Sequence, residues 1–139
     1  MSRILAIDYG TKRTGIAVTD PLQLIATGLT AVETPKLMGF LKDYVNREPV
    51  GLILIGMPRN LDDSETDASP HVTRFIAQLE KEFPAIPVAP LDERFTSKMA
   101  SRAMVEMGMK KKQRRNKGLV DEIAATILLQ GYLAGNRPI

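Results

Sequence analysis

Residues 4–20 read "ILAIDYGTKRTGIAVTD". Four apolar residues, Ile4 to Ile7, lead straight into Asp8, and Ile16, Ala17 and Val18 follow a glycine-containing turn. The first run is apolar at both alternating positions, the pattern of a strand covered on both faces and therefore central in a sheet. Residues 14–19 return as a second strand after the turn at Gly10 to Arg13. An ionised carboxylate inside such a strand is expensive to bury without a partner, so Asp8 calls for one.

The rest of the chain settles what surrounds this hairpin. The stretch 22–33, "LQLIATGLTAVE", predicts a third strand, and three strands with short links predict an antiparallel meander. Thr34-Pro35 then marks a helix start, with Thr34 as the cap and Pro35 in the first turn. Leu37, Leu41, Tyr44 and Val45 recur at helical spacing up to Pro49. "VGLILI" (50–55) is a continuous apolar run of the kind found in buried parallel strands. A polar loop follows, and Ser69-Pro70 opens a helix with Val72, Phe75, Ile76 and Leu79 inward. "IPVAPL" (86–91) predicts a fifth strand, residues 97–107 a helix, and residues 118–134 a last helix. Meander first and alternation later predict an α/β domain over residues 1–139, a five-stranded mixed sheet with helices on its faces.

Composition narrows the chemistry. The 139 residues include no cysteine, which excludes disulfides, thiolate metal sites and thiol catalysis. No apolar run reaches the ~18 residues of a membrane span, and the apolar start is too short for a signal-peptide core, so a cytoplasmic location is expected. Of 19 basic residues, six fall in "KKKQRRNK" (110–117), leaving 13 against 16 acids elsewhere. The net +3 is therefore local, and Lys110, Lys111, Lys112, Arg114, Arg115 and Lys117 form a candidate phosphate-binding segment.

Three carboxylates stand out from those in polar loops. Asp8 ends the first strand, Glu93 lies just past the fifth in "LDERFTS", and Asp121 sits early in the otherwise apolar last helix, on the face of Ala125 and Leu128. Each has a plainer reading: Asp8 as a cap of the glycine turn, Glu93 as a surface partner of Arg94 or Lys98, Asp121 as a complement to the helix dipole. Converging, they would repel unless a divalent cation sat among them. Oxygen donors without cysteine favour Mg²⁺ or Mn²⁺ over Zn²⁺. Such a site suits phosphodiester cleavage, one ion activating water and a second, about 4 Å away, stabilising the leaving oxygen. Lys12 and Arg13 in the turn, and Arg94, are placed to hold phosphate. "GTKRTGIA" has the glycine spacing of a P-loop, but Ile16-Ala17 replace its Lys-Ser/Thr.

Four segments, "ILAIDYGTKRTGIAVTD", "LILIGMPRN", "LDERFTS" and "KGLVDEIAATILL", together resemble the YqgF-type proteins, the Holliday-junction-resolvase-like or pre-16S rRNA nuclease family. The resemblance covers nearly the whole chain in the right order. It implies an RNase H-like fold in which strands one to three are antiparallel and strands four and five lie parallel to strand one. It places the family's acidic residues on Asp8, Glu93 and Asp121 and implies metal-dependent cleavage of nucleic acid, with processing of the 5′ end of 16S rRNA precursor as the role. Junction resolvases carry a glutamate at the end of strand four; here Gly56-Met57-Pro58 stand there, which leaves the third ligand to Glu93 or to Asp62 or Asp63. Competing readings are a resolvase of branched DNA, an inactive rRNA-binding assembly module, and an ATPase of the actin and sugar-kinase type. The last needs a second Asp-x-Gly turn, and Asp8-Tyr9-Gly10 is the only one in the chain. Monomer and homodimer are both compatible with the sequence.

Overall fold

The computed structural model describes residues 2–58, 69–92 and 117–135. Its elements are β1 (Arg3–Asp8), β2 (Arg13–Thr19), β3 (Ala26–Glu33), a 3-10 turn (Thr34–Lys36), α1 (Leu37–Arg47), β4 (Val50–Met57), α2 (Ser69–Glu82), β5 (Val88–Asp92) and α3 (Lys117–Leu133). The strands form one sheet in the order β3-β2-β1-β4-β5. β1 pairs antiparallel with β2, and β2 with β3; β4 runs parallel to β1, and β5 to β4. The expected meander and the two parallel additions are both present, with β1 in the centre. The helix expected over 97–107 lies outside the described residues.

Alternation along β1 sends side chains to two separate cores. Leu5 and Ile7 join Ile16, Val18, Ile53 and Ile55 on one face, under Leu37, Leu41 and Tyr44 of α1 and Val72, Phe75 and Leu79 of α2. Ile4 and Ala6 join Ala17, Leu54 and Leu91 on the other, under Ala125, Leu128 and Leu129 of α3. The sheet is thus covered on both faces, as the continuous apolar runs require.

Two local expectations are corrected. The third strand begins at Ala26 rather than residue 22, and Leu22, Leu24 and Ile25 are exposed. Asp20 holds that turn instead, its carboxylate accepting from the backbone N–H groups of Leu22, Leu24 and Ile25. Thr34 does not cap α1, which starts at Leu37 without a side-chain cap. The Thr34 hydroxyl donates to the Gly10 carbonyl and meets the Thr14 hydroxyl at 3.0 Å. The residue expected to start a helix therefore braces the β1–β2 turn. Ser69 opens α2 as expected, and its hydroxyl donates to the Pro58 carbonyl at 2.9 Å.

Candidate functional site

Because β1, β4 and β5 are parallel, their C-terminal ends lie at one edge of the sheet, the usual place for a site in such a fold. Asp8 is the last residue of β1, and its parity places it on the α3 side with Ile4 and Ala6. It is half-buried rather than buried; the sealed stretch is Ile4–Ile7. Asp8 therefore sits at the rim of the core. Tyr9 turns to the opposite face and packs on Phe75 with ring centroids 4.9 Å apart. Gly10 then opens the turn, its amide accepted by the Thr14 hydroxyl at 3.4 Å.

Asp121 reaches the same edge from the other end of the chain. Asp8 is paired with Gly15 across β1 and β2. A methyl group at Gly15 would overlap the backbone carbonyl of Asp121. Gly15 is thus the point at which α3 rests on the sheet, with Asp8 beside it in the ladder and Asp121 directly over it. Small residues along this seam, Ala17 beneath and Ala124 and Ala125 above, are all buried and keep the helix close. Asp121 lies one turn into α3, not in its first turn, which contains no acid. The helix-dipole explanation of this residue therefore loses its basis, since that effect fades within the first turn.

The fate of the other expected residues is mixed. Arg13, assigned to phosphate, points its Nε at Asp121 Oδ2, 3.3 Å away. Lys12 is exposed in the turn, which is tied down by the Thr34 amide donating to the Lys12 carbonyl. Glu122 lies against Gly28 of β3, away from the end of β1. Gly56 is buried near the end of β4, so that strand adds no carboxylate. Asp92 ends β5 at the same edge, exposed. Glu93, Arg94, Asp62, Asp63 and Lys110 to Arg115 lie outside the described residues, as does the side chain of Lys117. Among the described residues no group of three potential ligands forms a metal cluster. The pairing of Arg13 with Asp121 is the feature that sequence reading missed, and strand parity was its signal: Arg13, Gly15 and Ala17 share one side of β2.

Two carboxylates at a solvent-accessible edge fit a hard divalent ion. Mg²⁺ is usually held by one or two carboxylates, with water and substrate phosphate completing its shell. The donor set present, the carboxylates of Asp8 and Asp121, matches that demand in ligand type.

Comparisons with known proteins bear on this arrangement. The chain matches the family model described as "RuvX: Holliday junction resolvase" over residues 2–135. It is 54% identical over 133 residues to a protein of Christiangramia forsetii named "Putative pre-16S rRNA nuclease", covering 96% of this chain and 98% of that one. A protein of Bacteroides thetaiotaomicron with the same name is 55% identical over 137 residues, 99% of each chain. Among solved structures, T. thermophilus RuvC in complex with Holliday junction substrate aligns over 100% of both chains with a TM-score of 0.58 and 14% identity. That likeness establishes the RNase H-like fold. With the fold, the four motifs and a family model spanning almost every residue in agreement, the chain belongs to the RuvX family.

Proposed function

We propose that the chain is a single-domain, Mg²⁺- or Mn²⁺-dependent nuclease that cleaves structured nucleic acid in the cytoplasm, and that its substrate is the 5′ end of 16S rRNA precursor. The observation that carries this reading is the meeting of Asp8 and Asp121 at Gly15, from opposite ends of the chain. Two acids brought to one accessible sheet edge are a donor set of the kind that a hard divalent ion takes. The names of relatives at 54% and 55% identity support the rRNA substrate.

In this reading Asp8, Asp121 and Glu93 hold the divalent ions, which when bound supply an activated water and neutralise charge on the leaving oxygen. The protein's own contribution is placement. Asp8 is fixed by the β1 ladder, and Asp121 by the contact of α3 with Gly15. Lys12 and Arg94 contact phosphate near the scissile bond. Lys110, Lys111, Lys112, Arg114, Arg115 and Lys117 grip the backbone without reading bases.

A second reading, resolution of branched DNA, is favoured by the description of the matching family model. One assay separates the two: purified protein with Mn²⁺ on precursor rRNA, single-stranded RNA and four-way DNA junctions. Cleavage of precursor rRNA that is lost in Asp8→Asn and in Asp121→Asn is the expected result. Cleavage of junctions alone would transfer the proposal to DNA, and cleavage unaffected by either substitution would overturn the site.

A further inference from the structure

The contact between Arg13 and Asp121 joins residues 108 positions apart, at 3.3 Å from Nε to Oδ2. Their side chains keep 38% and 27% of their surface exposed, so the pair is open to ions from solution. The two partners differ in freedom. Asp121 is rooted where its backbone touches Gly15, and Ala124 and Ala125, on the next part of the same helix, are buried against the sheet. Arg13 carries its charge on a long flexible stem at the start of β2, beside the turn that holds Lys12. If one partner moves, it is the guanidinium.

Two properties of a guanidinium then matter. It competes with any other cation for the carboxylate it occupies, and its other favoured partner is a phosphate oxygen, bound through the same planar fork. Resting on the reading that Asp121 is a metal ligand and a phosphodiester the substrate, we infer that Arg13 is an exchangeable counter-ion. It sits on Asp121 while the site lacks metal, and it transfers to the substrate backbone when a divalent cation takes the carboxylate. The exchange makes metal and polynucleotide each favour the other's binding, by the same factor in both directions. It also keeps the carboxylate compensated in the empty protein.

The test uses the full chain with Mn²⁺ alone as probe, followed by calorimetry, and a labelled RNA hairpin in EDTA, followed by anisotropy. Arg13→Gln should bind Mn²⁺ roughly three- to fivefold more tightly than wild type, the loss of one half-exposed competitor. Arg13→Lys, which keeps charge but not the fork, should fall between them. In EDTA, Asp121→Asn should release Arg13 and tighten RNA binding severalfold. Most of that gain should vanish in the double variant Arg13→Gln/Asp121→Asn. A merely structural Arg13 would leave Mn²⁺ affinity unchanged in Arg13→Gln, and any RNA gain of Asp121→Asn would persist in the double variant. Thermal melts in EDTA confirm that each variant is folded, and Arg13→Lys carries the metal test where Arg13→Gln fails to fold. If Arg13→Gln binds Mn²⁺ as wild type does while Asp8→Asn weakens it, the exchange is wrong and the metal site stands. If the RNA gain survives fully in the double variant, Arg13 is not the agent and the exchange is overturned. If Asp8→Asn and Asp121→Asn both bind Mn²⁺ as wild type does, the metal reading fails and the exchange with it.

Discussion

Gly15 decides more at the single-residue level than either acid. It is the contact between sheet and helix, and a side chain there would meet the Asp121 carbonyl. Gly15→Ala should cost about 1–3 kcal/mol, the usual penalty of an overpacked core. It should also weaken Mn²⁺ binding by lifting Asp121 away from Asp8, which urea denaturation and calorimetry together would show. Asp8→Asn should behave in the opposite way, leaving urea stability unchanged or raised. Mn²⁺ should raise the melting temperature of wild type more than that of Asp8→Asn, because the ion binds only the folded site. Asp20 supplies a pH signature. The N–H of Ile25 above all, opposed by desolvation and helped by the N–H groups of Leu24, Asp20 and Leu22, holds its carboxyl below the usual value. A lowered folded value stabilises above the unfolded pKa of about 4 and is lost as pH falls through the folded one. Wild type should therefore lose stability relative to Asp20→Asn on acidification below about pH 4, as parallel urea titrations would reveal. Of these residues, Asp8 and Asp121 were legible in the sequence because a carboxylate in an apolar run is conspicuous. The partnership of Arg13 was not, since strand parity gives the side of β2 on which Arg13 lies but not the partner 108 positions away.

Elements were legible where burial imposes a period and obscure where a turn borrows apolar residues. The continuous runs 4–7 and 50–55 announced β1 and β4. Leu22, Leu24 and Ile25 look like a strand, yet Asp20 bonds their backbone into a turn and leaves the side chains exposed. Thr34 beside Pro35 has the composition of a cap, but its hydroxyl finds the β1–β2 turn in three dimensions. Thr34→Val should thus cost about 1 kcal/mol by removing the hydrogen bonds to Gly10 and Thr14. It should loosen the turn that bears Lys12, read as faster amide exchange at residues 10–13. In α3 the decisive anchor is Leu129, which is fully buried against Ile4, Ala6 and Leu54. Leu129→Ala should cost about 2–5 kcal/mol, and it should lower Mn²⁺ affinity even though it touches no ligand.

Across the whole molecule, charge and topology divide the work. The sheet edge holds acids, and the basic residues Lys110 to Arg115 precede α3 directly in sequence, with Lys117 as its first residue, so the helix that presents Asp121 follows the proposed phosphate-binding segment in the chain. Replacing Lys110, Lys111, Lys112, Arg114 and Arg115 with alanine should weaken binding to every polynucleotide alike. The slope of log affinity against log salt should flatten by roughly 0.7–0.9 for each phosphate that is no longer neutralised. An unchanged slope would place the phosphate-binding surface elsewhere on the protein.

Of the described elements, the strand carrying Asp8 is made first and the helix carrying Asp121 last. A chain still emerging from the ribosome can pair β1 with β2 and β3, because those pairings are local. It cannot close the carboxylate pair until α3 has been released and has docked on Gly15. Translation itself therefore sets the moment at which Asp8 and Asp121 come to the same edge of the sheet.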